Sequence, residues 1–380
     1  MQLRTTWSKS RVGVVAGLSG LTLLVAGCGG GGSSSAGSSS KKLVYFMAPN
    51  TTPTRYIQQD GPDFKKALEK LDPSIEVKFV NAGGSSDTQL SQTNSAIAAG
   101  AKALVVVAAD PNTSAGLLQA AQQANIPVIG YENPPIKGAM YAQVVFDPKS
   151  VGAQQATYFA AQVKSGALGS IPVKVARLYG NKGDVYTSDM LAGQNQVLDP
   201  LIKDGSINVV CQDYVKNWAP DAAQTATEQC LTKTQNKIDA FLGFYDGITA
   251  GTIAALKGKN VSIPVYGGQN PELTGLQYML TGDQQDDVLK AFSVEAAAAA
   301  KITLAAIQKQ QPPSDLVKDS VNNGAGAVPT AKLPSTYIHL EKGVDPGTVV
   351  QKAVDLGMFT WKQICTGPAS STATCKTKVG

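Results

Sequence analysis

The chain has 380 residues, 43% of them apolar and 16% charged, too apolar for a disordered chain and too even for a fibrous one. Its formal charge is +5, from 33 Lys and Arg against 28 Asp and Glu, with one His and five Cys. No Lys/Arg cluster accompanies that balance, which speaks against a nucleic-acid partner; so few His and Cys argue against most zinc sites and most His-dependent catalysis, and no cofactor is expected.

Residues 1–11 carry Arg4, Lys9 and Arg11 and no acid, and Val12 to Val25 is a Gly-interrupted apolar stretch of 14 residues. A membrane span needs about 20 apolar residues, so residues 1–27 read as a secretion signal peptide. The segment closes on Leu24-Val25-Ala26-Gly27-Cys28. That end resembles the lipobox of bacterial lipoproteins, in which the Cys is diacylated and becomes the new N-terminus. The alternative is an ordinary signal peptide with a chance Cys. Residues 28–40 are Gly and Ser with one Ala after the Cys, a flexible tether with little to pack. Loss of the leader leaves 30 basic and 28 acidic residues, a charge of +2. The folded part is thus expected from Lys41 onward, extracytoplasmic, and held to the cell membrane only by its lipid.

From Leu43 short apolar runs alternate with segments of helical period. Strands are expected at 43–47, 77–80, 103–108, 127–131, 144–146, 173–178, 208–210, 240–244, 264–266 and 288–292. Helices are expected at 87–99, 113–124, 150–163, 189–203, 222–233, 248–256 and 294–310. Continuous apolar runs mean strands buried on both faces, as in a parallel sheet covered by helices. The repetition predicts an α/β fold of doubly wound layers, and the length favours two lobes. The unit length alone leaves a (β/α)8 barrel open. Outside the cytoplasm Cys211, Cys230, Cys365 and Cys375 form an even set able to pair. Sequence proximity favours Cys211–Cys230 and Cys365–Cys375, with free thiols as the alternative.

Open α/β sheets bind ligands beyond the carboxyl ends of their strands. Those ends carry Ala48-Pro49-Asn50 with Arg55-Tyr56, Ala109-Asp110, Tyr131-Glu132-Asn133, Tyr179-Gly180 with Asp184 to Ser188, Tyr214 to Trp218, Tyr245-Asp246, Gly267 to Asn270, and Lys290. Amides, carboxylates, a few cations and aromatics suit a neutral polyhydroxylated solute. Planar polar groups grip its vicinal hydroxyls, and rings pack on its C–H face. Turn and cap roles compete for each residue singly.

Three stretches carry a resemblance. The first is Gln89-Leu-Ser-Gln-Thr-Asn-Ser-Ala-Ile-Ala-Ala-Gly-Ala-Lys-Ala-Leu-Val-Val-Val, followed by Ala124-Asn-Ile-Pro-Val-Ile-Gly-Tyr-Glu132. The second is Tyr245-Asp246-Gly247-Ile-Thr-Ala-Gly251-Thr-Ile-Ala-Ala-Leu-Lys257. The third is Gly268-Gln269-Asn270-Pro-Glu-Leu-Thr-Gly-Leu-Gln-Tyr-Met-Leu-Thr-Gly282, running on to Lys290. In these the chain resembles periplasmic sugar-binding proteins of ABC importers, the xylose- and ribose-binding branch with the type I fold. The resemblance implies two Rossmann-like lobes joined by a three-strand hinge. Lobe one would be 41–146 plus 291–324, and lobe two 147–290 plus 325–380. It implies a sugar between Tyr56 and Trp218 from opposite lobes. Arg55 and the hinge residue Lys290 would reach that sugar, and Asp184, Tyr186 and Ser188 would add polar contacts.

The chain departs from the family pattern at Glu132-Asn133, where Asp-Arg is usual, at Tyr245 in place of Asn before Asp246, and at Asn270 in place of Asp. Losing Arg loses a bidentate fork, and Asn donates where Asp only accepts. A larger, deoxy or otherwise modified sugar, or a polyol, is therefore expected rather than xylose or ribose. A monomer serving a membrane permease is implied, or one serving a sensor protein. The rival from another class is a secreted glycosidase using Glu132 and Asp246.

Overall fold

The computed structural model describes residues 41–380. The signal peptide, the lipidation site Cys28 and the tether expected from the sequence lie outside the described residues.

Lobe one opens with β1 (Lys42–Ala48), α1 (Gly61–Leu71), β2 (Ile75–Asn81), α2 (Ser86–Ala98), β3 (Ala103–Val106), α3 (Ala115–Gln123), β4 (Val128–Tyr131) and β5 (Ala142–Phe146). The chain then builds lobe two: α4 (Pro148–Lys164), β6 (Val173–Tyr179), α5 (Val185–Lys203), β7 (Ile207–Tyr214), α6 (Pro220–Thr234), β8 (Ala240–Gly243), α7 (Asp246–Gly258), β9 (Val265–Gly267), α8 (Leu273–Thr281) and β10 (Asp286–Leu289). It returns to lobe one for α9 (Phe292–Ile307), β11 (Asp319–Asn322) and β12 (Ala327–Leu333). It ends in lobe two with β13 (Thr336–His339), α10 (Pro346–Asp355), α11 (Trp361–Ile364) and α12 (Ala373–Val379).

Sheet order is β11-β12-β5-β4-β3-β1-β2 in lobe one and β7-β6-β8-β9 in lobe two, with β10-β13 as a separate antiparallel pair. Apart from the β11–β12 hairpin, every pair in the two larger sheets is parallel. β3, β4, β5, β8 and β9 are buried at every residue, which is why their sequences read as unbroken apolar runs. Helix starts are written locally. Asp147 accepts the Lys149 N–H at 3.1 Å and caps α4, and Ser85 accepts the Thr88 N–H at 3.2 Å and caps α2.

The three crossings lie at 146–147, 290–291 and 334–335. The third differs from the expected break between 324 and 325. β12 hydrogen-bonds β5 in register from Thr330↔Gln143 to Leu333↔Phe146, so it belongs to the first sheet, and the crossing comes after Leu333. Backbone pairing moves the boundary, and nothing in residues 319–333 announces that pairing. β11 is exposed throughout. The C-terminal helices pack on α8 as a cluster of their own, around Leu276, Met279, Val350 and Ile364. Disulfides join Cys211 to Cys230, tying β7 to α6, and Cys365 to Cys375, with Cα separations of 5.7 and 5.2 Å.

Candidate functional site

In each lobe the strand order reverses direction beside its first strand, between β1 and β3 and between β6 and β8. Loops leaving the two sides of such a point diverge and leave a crevice. Here the two crevices face each other across a cavity of about 80 Å³. Lobe one lines it with Pro49, Asn50, Thr52, Pro53 and Tyr56 after β1, Gly84 after β2, Ala108 and Ala109 after β3, and Glu132 and Asn133 after β4. Lobe two supplies Asn181, Asp184 and Tyr186 after β6, Asn217 and Trp218 after β7, Tyr245 after β8, and Gln269 and Asn270 after β9.

Of the residues singled out from sequence, Tyr56, Glu132, Asn133, Asp184, Tyr186, Trp218, Tyr245 and Asn270 line this cavity together. The other four stand elsewhere. Ser188 is on the exposed side of α5, its hydroxyl donating to the Asp184 carbonyl at 3.1 Å. Asp246 is buried behind the wall, accepting from the Glu272 N–H at 2.7 Å and from Gln284 at 3.2 Å. Arg55 and Lys290 are buried beneath the floor, 2% and 0% exposed.

What Arg55 does is set by its partners. Its guanidinium pairs with Asp60 at 2.6 Å and Glu295 at 2.5 Å, lies 3.6 Å from Glu132, and stacks 3.8 Å from the Phe292 ring. Burial opposes its charge, but Asp60 and Glu295 outweigh burial and hold it firmly protonated. Lys290 lies 3.6 Å from Glu132 and donates to the Tyr186 hydroxyl. Burial pulls the Lys290 ammonium down to about 8, with Glu132 working against the shift. The visible wall residue Glu132 therefore rests on two buried cations, and Tyr56 donates to its other oxygen at 2.9 Å. Glu132 is fixed in place with its charge compensated from behind.

The lobe-two wall is similarly braced. The Trp218 indole N–H donates to Asp184 at 3.0 Å, and its ring meets Tyr186 and Tyr245 edge-on, each 6.2 Å away. Burial raises the Asp184 carboxyl, and the bonds from Trp218 and Asn181 offset part of that. The Tyr186 hydroxyl donates to Gln269 at 2.9 Å. Burial, then Glu132, push the Tyr186 phenol well above its usual range, so it stays a neutral donor and acceptor. Gly180 makes room for the indole, since a Cβ there would lie 2.1 Å from its outer edge. Four cavity residues other than Gly hold left-handed backbone: Glu132 (φ 55°), Asn217 (56°), Trp218 (57°) and Asn270 (82°). Such conformations are uncommon outside Gly, and their concentration around one cavity marks a site the fold holds against local preference.

A family model described as periplasmic binding protein domain matches residues 44–311. The chain belongs to the periplasmic binding protein family. This periplasmic binding protein is 30% identical over 298 residues to the D-xylose-binding periplasmic protein of Escherichia coli K12, across 77% of this chain and 85% of that one. It is 27% identical over 306 residues to the multiple sugar-binding periplasmic receptor ChvE of Rhizobium radiobacter, across 75% and 83%. Its fold is similar to that of an ABC transporter solute binding protein from Clostridium phytofermentans, solved with bound β-D-glucose. The TM-score is 0.76 at 24% identity, over 85% of this chain and all of that one. Membership in a family of binding receptors removes the glycosidase alternative, and Glu132 and Asp246 do not line a common cavity.

Asn50, Ala109, Asn217 and Gln269 fall in strand-end segments marked in the sequence but not singled out there. Thr52, Pro53, Gly84 and Asn181 carry no sequence signal beyond the turn chemistry expected of any loop. The buried acids Asp60 and Glu295, which decide what Arg55 does, were missed altogether. They lie 5 and 240 residues from it.

Proposed function

We propose that this periplasmic binding protein captures a small neutral sugar or polyol between its lobes and hands it, chemically unchanged, to the membrane permease of an ABC-type importer. The carrying observation is the make-up of the cavity. Four aromatic side chains, two carboxylates and several amides face it, and among the described residues no Lys or Arg lines it. A sugar acid or sugar phosphate would find carboxylates and no counter-charge there. A neutral polyol finds acceptors, amide donors and rings. The names of the xylose-binding and multiple sugar-binding relatives support the same class of ligand. Glu132-Asn133, Tyr245 and Asn270 in place of the family's usual residues favour a deoxy or modified sugar or a polyol over xylose itself.

Because both lobes wall the cavity, a solute held there contacts both only when they are together. Its differential affinity for that state drives closure about the three crossings. Acylation at Cys28, argued from sequence alone, would keep the receptor near its permease. A thermal-shift screen of aldoses, deoxyaldoses and polyols tests the ligand class. At 100 times Kd the right ligand adds about 2.7 kcal/mol to stability. Trp218→Ala is expected to remove that shift and leave a folded protein. A shift that survives the substitution overturns the placement of the site.

A further inference from the structure

A second space adjoins the cleft. It measures about 280 Å³, larger than the cleft itself, and shares Glu132, Asn133 and Tyr186 with it. Both lobes contribute. The loop after β4, β5 and the β11–β12 hairpin come from lobe one, and the first turns of α4 and α5 come from lobe two. Its apolar wall is Pro134, Ile136, Val145, Pro148, Val185 and Val321. Val185 and Val321 remain 37% and 36% exposed, with no protein covering them fully.

Lys149 and Asp189, both exposed, hold their charges at the rim of this space, while the deeper polar side chains are spent on the protein. Gln143 donates to the Thr330 hydroxyl at 3.0 Å, and Asn323 donates to the Gly138 carbonyl at 2.7 Å. Asn322 accepts from the Gly324 N–H at 2.8 Å. Asp147 caps α4 and pairs with Lys332 at 3.6 Å. Inside the charged rim, what is left for an occupant is mainly apolar contact. A second hydroxyl-rich ring would lose water there and find few free partners, whereas a hydrocarbon group would lose only water.

We infer that this annex takes an apolar substituent, the alkyl or aryl aglycone of a glycoside whose sugar occupies the cleft. The inference rests on the sugar-binding reading above and names the ligand class within it. The three shared lining residues put the annex directly beside the cleft, and that adjacency is what commits it to one end of the same solute. An occupant reaching between α5 and the β11–β12 hairpin would also touch both lobes, so it would favour closure as the sugar does.

The test pairs each sugar of the screen with its methyl and phenyl β-glycosides and measures Kd by titration calorimetry on the folded protein. The phenyl glycoside is expected to bind about tenfold tighter than the methyl glycoside, the gain from withdrawing one ring from water. Val321→Trp, which fills the annex from the hairpin side, should abolish that preference and leave the free-sugar affinity within about twofold. Equal or weaker binding of the phenyl glycoside overturns the inference, while binding of the free sugar leaves the sugar reading standing. Retention of the phenyl preference in Val321→Trp also overturns it. Binding of neither sugar nor glycoside overturns the sugar reading, and the annex assignment with it.

Discussion

Gly180→Ala isolates the role of one ring. The new methyl carbon would sit 2.1 Å from two carbons of the Trp218 indole and 2.5 Å from the Thr187 hydroxyl, where ordinary contact begins at 3.4 Å. Gly180 is not in left-handed backbone, so the substitution brings steric conflict without a conformational penalty of its own. The indole has to recede from 2.1 Å to at least 3.4 Å from that position. Its N–H bond to Asp184, 3.0 Å long, does not survive such a move, and the edge contacts with Tyr186 and Tyr245 go with it. The backbone bonds that shape this turn, Trp218 N–H to Val215 and Val215 N–H to Tyr179, both 3.1 Å, do not involve the ring. Overpacking of this kind costs about 1–3 kcal/mol in stability. The misplaced ring and the freed Asp184 should cost a bound sugar about 1–3 kcal/mol, roughly tenfold to a hundredfold in Kd. Titration calorimetry with the tightest sugar of the screen reads the loss. Gly258→Ala, whose Cβ meets nothing within 4 Å, is the matched control. Wild-type affinity in Gly180→Ala would refute the claim that the Trp218 ring forms the binding wall.

Other consequences concern the buried charges and the staples. Arg55→Met leaves Asp60 and Glu295 unpaired in the interior, and urea denaturation should show a loss of about 3–5 kcal/mol. A loss under 1 kcal/mol would show that the cluster is not what holds the floor. Burial raises the Asp286 carboxyl from 3.8 to about 7. The native state therefore binds more protons than the unfolded one between those values, and stability falls as pH rises through that window. Asp286→Asn should flatten that part of the stability–pH curve, and an unchanged slope would contradict the assignment. Non-reducing mass analysis should find no free thiol at Cys211, Cys230, Cys365 or Cys375. Reduction should lower the melting temperature, since each short loop is worth roughly 2–3 kcal/mol by chain entropy. In the producing bacterium Cys28→Ala should move the receptor from the membrane fraction to the soluble one; retention in the membrane would refute acylation at Cys28.

Much of the fold was legible because parallel strands buried on both faces have nowhere to put polar side chains. The runs around Ala103–Val106 and Ala240–Gly243 announce themselves for that reason. β11, Asp-Ser-Val-Asn and fully exposed, exists only because β12 offers it an edge, so no run of residues signals it. α1, rich in Lys, and the C-terminal helices take their place from tertiary packing, and their sequences do not break the polar background as the strands do. At the cavity, position along the chain pointed to the strand ends that line it but carried no information on depth. Arg55 and Lys290 follow strands and looked like ligand contacts. Acids brought from the turn before α1, from α9 and from the loop after β4 hold them inward. Sequence spacing holds no record of a partner 240 residues away.

Competitive equilibrium binding with matched neutral and anionic solutes distinguishes a neutral-sugar receptor from any other: an aldose, its aldonic acid and its phosphate ester, each titrated into the mature protein. One saturable site per chain is expected for the neutral sugar, with full recovery of that sugar unaltered and no displacement by the acid or the ester. Tighter binding of either anion, or conversion of the bound sugar, would contradict that expectation.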